Sequence, residues 1–296
     1  MTLFDAGGER PRRLPPEETP LAASTGEADG PASSERLKLV VAYDGSDFHG
    51  FAAQRDVRTV EGVLSDALEK LLRSPREMLN LACAGRTDAG VHAWGQVVSI
   101  DMPPDTDTER VRRAVNRMLG PEVVVRSVDR VPGDFDARHT ATARTYRYTI
   151  LNRAVPDPFL ARQAWWVPAP LDVSLLRLAA DPFIGEHDFA AFCRRGPEGS
   201  TTTRRVLASH WVSDDRPGVL VYEVRATAFC WQMVRSLVGT IVETGMAKRC
   251  PGDLLGILRS RDRAQAGRVA PPQGLCLWEV AYDDAIDAGQ PGASPR

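Results

Sequence analysis

Residues 85 to 93 run Gly85-Arg86-Thr87-Asp88-Ala89-Gly90-Val91-His92-Ala93, setting an arginine, an aspartate and a histidine around a pair of glycines. A carboxylate is the group in this loop that can act as a nucleophile or stabilise positive charge. The glycines open backbone angles closed to other residues and let a large ligand approach, and loops on a rigid sheet are where chemistry tends to sit. The residues alone leave a second reading open, a wide turn in which Asp88 makes an Asx bond and Arg86 is solvated. His92 and His49 raise the question of a metal, but no third ligand stands at helix or loop spacing, and no metal site is expected. Cys83, Cys193, Cys230, Cys250 and Cys276 are scattered singly with no C-x-x-C pair. That pattern argues against a disulfide framework or a zinc site and reads them as small buried hydrophobes.

The loop needs a scaffold, and hydrophobic periodicity supplies one on both sides of it. The run LKLVVAY at 37–43 is a strand, and Thr59 then caps a helix whose apolar face is Val60, Val63, Leu64, Ala67, Leu68, Leu71 and Leu72, closed by Pro75. Strands follow at 79–84 and 95–101. Thr106 with Glu109 reads as a capping box opening a second helix, with Val111, Ala114, Val115, Met118 and Leu119 inward, and Gly120-Pro121 ends it. A strand at 122–128 completes a βαββαβ pattern. The second half repeats it less clearly: a strand at 144–151, a helix near 172–180, strands near 205–213 and 218–226, and a helix with Cys230, Met233, Val234, Leu237, Val238, Ile241 and Val242 on one face. A short helix after Pro251 and a strand at 275–282 close it. The expected class is α+β: two tandem ferredoxin-like (βαββαβ) units with antiparallel sheets side by side around a positively charged cleft. The expected boundaries are a disordered acidic tail at 1–35, an N-terminal unit at 36–143 carrying the loop, a C-terminal unit at 144–282 and a disordered tail at 283–296.

Charge sharpens this. The 296-residue chain has a formal net charge of −2, but the acidic tails hide a body, residues 36–282, of net +4. Within 110–153 ten arginines face four acids. Lysines number only three in the whole chain, and the arginine fork suits phosphate and stacks on bases. Whole-proteome base composition accounts for the arginine-to-lysine ratio equally well, but not for the clustering. No stretch reaches the ~18 apolar residues of a membrane span and the N-terminus has no apolar h-region, so a cytoplasmic protein is expected.

Read with its neighbours, the loop resembles the TruA family of tRNA pseudouridine synthases. The residues that carry the resemblance are YDGSDFHGF at 43–51, GRTDAGVHA at 85–93 followed by GQVV, FDARHTATARTYRY at 135–148, MVRSLVG at 233–239 and GLCLWEV at 274–280. They span roughly 36–282 in order. The resemblance implies isomerisation of uridine to pseudouridine in the anticodon arm of tRNA, at positions thirty-eight to forty, without metal or organic cofactor. It implies that Asp88 is the nucleophile or charge stabiliser beside the sugar, and that Arg235 pairs with Asp88 from the second half. Tyr146 is implied to stack on the target base, with proton transfer as a further role. Arg86 is implied to fill the space the flipped base leaves. Phe135, Asp136, Ala137, Arg138 and His139, together with 196–200, correspond to tRNA-contacting stretches, and a homodimer with tRNA across both subunits is implied as well. Three departures stand out: 196–200 is not basic, although Arg194, Arg195, Arg204 and Arg205 flank it; Phe51 replaces a tryptophan; and Glu61 replaces a glutamine. Two rivals remain at this point, a non-catalytic RNA-binding protein and a synthase of the same chemistry aimed at another RNA.

Overall fold

The computed structural model describes residues 34–73, 75–196, 199–212 and 214–283. Most of both expected tails therefore lies outside the described residues. The inner edge of the first differs from expectation, because Glu35 opens strand β1 (Glu35–Tyr43), pairing with Met102 and accepting a bond from Arg130.

The first half continues with α1 (Val60–Leu72), β2 (Ala82–Cys83), β3 (His92–Met102), α2 (Thr108–Leu119) and β4 (Val123–Arg130). Thr59 caps α1 as expected, its side chain accepting from the Gly62 N–H. The cap of α2 is Asp107 and not Thr106. The Asp107 carboxylate accepts from the Arg110 N–H at 2.9 Å, while the Thr106 hydroxyl donates to the Pro103 carbonyl and Glu109 pairs with Arg112. The expected strand at 79–84 shrinks to two residues because Arg76–Leu79 winds into a 3-10 turn that buries Leu79.

The second half contains β5 (Ala143–Leu151), β6 (Trp165–Trp166), α3 (Val173–Ala180), β7 (Gly185–Asp188), β8 (Thr203–Val212), β9 (Val219–Ala226), α4 (Met233–Gly245), α5 (Asp253–Ser260) and β10 (Leu275–Ala281). Cys230, expected on the α4 face, precedes the helix, because Gln232 takes a left-handed backbone (φ 61°) and starts it afresh.

One mixed sheet runs through both halves in the order β4-β1-β3-β10-β5-β9-β8-β7, with β2 added to β3 and β6 to β5. The pairings are antiparallel except β5 with β6 and β10 with β3. Strand β3 shares one edge between two neighbours, pairing with β10 at His92 and Ala93 and with β2 at Val98 and Ser99. The 84–91 loop leaves β2 and enters β3 at that seam.

The cores are exchanged across the seam as well. Val91, at the end of the loop, is buried in the second-half cluster, whereas Leu277, Val280 and Tyr282 from β10 and its end complete the first-half cluster. Among the described residues no helix is long and apolar enough to cross a membrane. The cysteines divide: Cys193 is buried and Cys250 exposed, and burial pushes the Cys83 thiol up to about 11 and Cys276 to about 12.

Leu277 is fully buried and supplied by one half to the core of the other. Leu277→Ala is expected to cost about 2–5 kcal/mol and to shift one cooperative urea transition. Two separated transitions would show that the halves fold independently.

Candidate active site

The loop is immobilised from beneath by side chains of β1 and β3. Gln96, fully buried, donates from its amide to the Gly85 carbonyl at 2.6 Å and accepts from the Gly85 N–H at 3.3 Å. The buried Tyr43 hydroxyl lies 2.8 Å from Thr87 Oγ1 and accepts from Gln96 at 3.4 Å. The Thr87 carbonyl accepts from Phe51 N and the Gly90 N–H donates to the Phe48 carbonyl. Gly45 closes the floor, since a Cβ there would lie 2.0 Å from the Val91 carbonyl oxygen. The Gly of YDG and the Gln of GQVV therefore act on the loop backbone, the Tyr of YDG acts on the Thr87 hydroxyl, and the Asp88 side chain is left to other partners.

Asp88 is met from the second half. Its Oδ2 lies 3.2 Å from Arg235 Nη1, and its Oδ1 accepts from the Trp231 indole N–H at 3.0 Å. Arg235 itself is anchored twice to one residue: its Nε donates to the Ala270 carbonyl at 2.7 Å and its own carbonyl accepts from Ala270 N at 3.0 Å. Gly239 allows this, because a Cβ at that position would stand 1.7 Å from the Arg268 carbonyl oxygen, so the 268–270 segment can lie directly on α4. The side chains of Arg235 and Asp88 are 13% and 28% exposed, so the carboxylate is oriented by two donors yet still open to a ligand.

Tyr146 lies on β5 beside this pair. It packs against both hydrophobic cores, meets Phe229 edge-on at 5.0 Å, and its hydroxyl would stand 3.7 Å from a Cβ on Gly85. Burial pushes its phenol well above the usual range, and the Asp88 charge adds to the effect while Arg144 opposes it. Arg144 spreads its guanidinium over four backbone carbonyls: Ala84 at 3.0 Å, Arg138 at 2.7 Å, Ala141 at 3.2 Å and Thr227 at 2.9 Å. These belong to the approach to the Asp88 loop, to the 138–141 turn and to the segment leading to Trp231.

The arrangement is a carboxylate fixed by a cation and a neutral donor at a seam walled by an aromatic ring. The family model for tRNA pseudouridine synthase matches residues 39–139 and 179–283. The chain belongs to the tRNA pseudouridine synthase family. A tRNA pseudouridine synthase A from Leifsonia xyli is 41% identical over 279 residues, covering 88% of this chain and 96% of the relative. One from Cutibacterium acnes is 42% identical over 263 residues, covering 88% and 94%. One from Pseudothermotoga lettingae is 39% identical over 248 residues, covering 84% and 100%. The enzymes of this family are isomerases that make pseudouridine, and this synthase carries the Asp88 loop within the first matched segment.

The remaining residues expected at the site separate into exposed and structural ones. Arg86 is exposed on the loop, as are Arg138 and His139 on their turn. Phe135 and Ala137, expected among the tRNA contacts, are buried. Phe135 packs at a tilt against Tyr282, ring centroids 5.0 Å apart, and the Ala137 carbonyl accepts from the Tyr282 hydroxyl at 2.8 Å. They anchor the turn, and Asp136 folds it by accepting from the N–H groups of Arg138 and His139. Against the burial that opposes it, these bonds hold the Asp136 carboxyl below the usual range. Within 196–200, Pro197 and Glu198 lie outside the described residues. His92 is engaged in structure, its Nδ1 accepting from Gly45 N at 3.1 Å and its Nε2 lying 3.0 Å from the Gln273 carbonyl.

Several arginines of the 110–153 cluster are likewise engaged within the protein: Arg112 on Glu109, Arg130 on Glu35, Arg147 on Glu223, Arg126 over the Trp94 ring and Arg144 on its carbonyls. Sequence reasoning missed Arg144 and Trp231. Strand alternation puts Arg144 on the same inner face as Tyr146, and a charge on an inner face was the available signal; Trp231 sits in an irregular turn and left none. Arg144→Met leaves those carbonyls without a charged donor and is expected to lower the unfolding free energy by about 2–4 kcal/mol in urea titration. A loss below about 0.5 kcal/mol would show that they find other partners.

Proposed function

We propose that the synthase isomerises uridine to pseudouridine in the anticodon arm of tRNA, at positions thirty-eight to forty, on a scaffold of two ferredoxin-like units. The strand orders β4-β1-β3-β2 and β10-β5-β9-β8 support that scaffold, the first from a strand-helix-strand-strand-helix-strand sequence and the second from the same sequence with β6, β7 and α5 inserted. The observation that carries the chemistry is the Asp88 carboxylate held by Arg235 and Trp231 at an open seam.

The reaction breaks the N1–C1′ bond, turns the uracil in place and joins C5 to C1′; the C5 proton leaves and N1 gains one. As C1′ loses electron density the Asp88 carboxylate attacks or stabilises it, and Arg235 and Trp231 keep that oxygen pair aimed. Tyr146 presents its ring to the flipped base. Its raised phenol keeps the proton at neutral pH, so it acts as a stacking face and hydrogen-bond donor and not as a resting base. Arg86 enters the vacated stack, and Arg138 and His139 meet the backbone. A homodimer carrying one tRNA across both subunits belongs to the same proposal.

With unmodified tRNA labelled with tritium at uridine C5, release of tritium to water is expected from the wild type and is expected to vanish in Asp88→Asn, with tRNA affinity kept within a few-fold. Release near the wild-type rate in that variant would remove Asp88 from the mechanism. Changing uridines thirty-eight, thirty-nine and forty together is expected to abolish release, and persistent modification would refute the address. Because Tyr146 stays protonated, kcat is expected to show no alkaline limb between about pH 7 and 9 that Tyr146→Phe removes; such a limb would make its phenolate a participant.

A further inference from the structure

Trp231 is 47% exposed although it lies at the nucleophile. The indole is nonetheless held firmly. Its N–H is bonded to Asp88 Oδ1 at 3.0 Å, its backbone carbonyl accepts from Arg194 N at 2.9 Å, and the Arg194 guanidinium carbon sits 4.1 Å from its ring centroid. Two residues earlier Phe229 supports Tyr146 edge-on, so one short turn braces both the carboxylate and the stacking tyrosine. The product is a flat apolar surface, fixed at one edge and backed by a cation, that remains open to solvent beside the reacting atoms.

We propose that Trp231, backed by Arg194, is a stacking shelf for a nucleobase of the RNA substrate next to the flipped uridine. The inference rests on the functional reading above and adds a base subsite to it. When a uridine leaves the helical stack its neighbour loses a stacking partner, and a held aromatic ring replaces that partner at little entropic cost. Every base has a π face, so the shelf tolerates any neighbouring sequence, and Arg194 adds positive charge where a phosphate runs past. Trp231→Phe keeps an aromatic ring and loses the donor to Asp88, which separates the two duties of the residue.

Equilibrium binding of the full chain to an unmodified tRNA transcript at fixed salt tests this. Trp231→Ala is expected to weaken Kd about tenfold or more, in the range of one lost base-aromatic stack. Trp231→Phe is expected to hold Kd within about threefold and to lower kcat instead, because Asp88 loses one of its two donors. The emission that distinguishes wild type from Trp231→Phe, which belongs to this indole, is expected to be quenched by tRNA. An unchanged Kd in Trp231→Ala, or an indole emission indifferent to tRNA, overturns the shelf. Should Trp231→Ala not fold, the emission decides alone. Tritium release by the wild type alongside either result confines the failure to the shelf, whereas a wild type that neither binds tRNA nor releases tritium removes the functional reading and the shelf together.

Discussion

Asp88 and Arg235 are 147 positions apart in the chain, and most of the fold serves to bring them within one hydrogen bond of each other. The pair is partly solvated, so its Coulomb attraction is screened and adds little to stability, on the order of 0–1 kcal/mol for exposed pairs. Its value lies in direction. A carboxylate that reacts at a sugar carbon has to point at it, and a misplacement of about 1 Å can cost two orders of magnitude in rate. The orientation is therefore supported from both ends: Tyr43, Thr87 and Gln96 hold the loop that carries Asp88, and the Ala270 backbone holds the guanidinium.

Those supports would fail if the two halves moved independently, and the exchange of core residues opposes that motion. Val91 fills the second-half core immediately after the loop, and Leu277 fills the first-half core from β10. Close-packed interiors transmit displacement instead of absorbing it. Tyr146 touches both clusters and Arg144 gathers carbonyls from three segments around the site, so the aromatic wall and the carboxylate share one rigid frame.

Much of this was legible in the residues. The Thr59 cap and the apolar stripe of α1 follow from period and chemistry, and the Asp88 loop stands out by its glycines and mixed charges. The pairing with Arg235 came only through resemblance, since contact across 147 positions leaves no trace in local spacing. What failed did so for local reasons. Asp107 outcompeted Thr106 for the helix end because it stands immediately before the first helical residue. Phe135 and Ala137 lie within a stretch expected to meet RNA yet face inward, because membership of a motif does not record which of its residues point into the core. Arginine clustering also overstated the free positive surface, because a guanidinium suits carbonyls, carboxylates and rings inside the protein as well as phosphates outside it.

The most direct test of the Asp88–Arg235 arrangement is the single-turnover rate of tritium release by Arg235→Met with saturating tRNA. A rate about 10²-fold below wild type, at unchanged tRNA affinity, is the expected result for a carboxylate that has lost its aim. A rate within about twofold of wild type would mean that the guanidinium does not orient Asp88 for the proposed reaction.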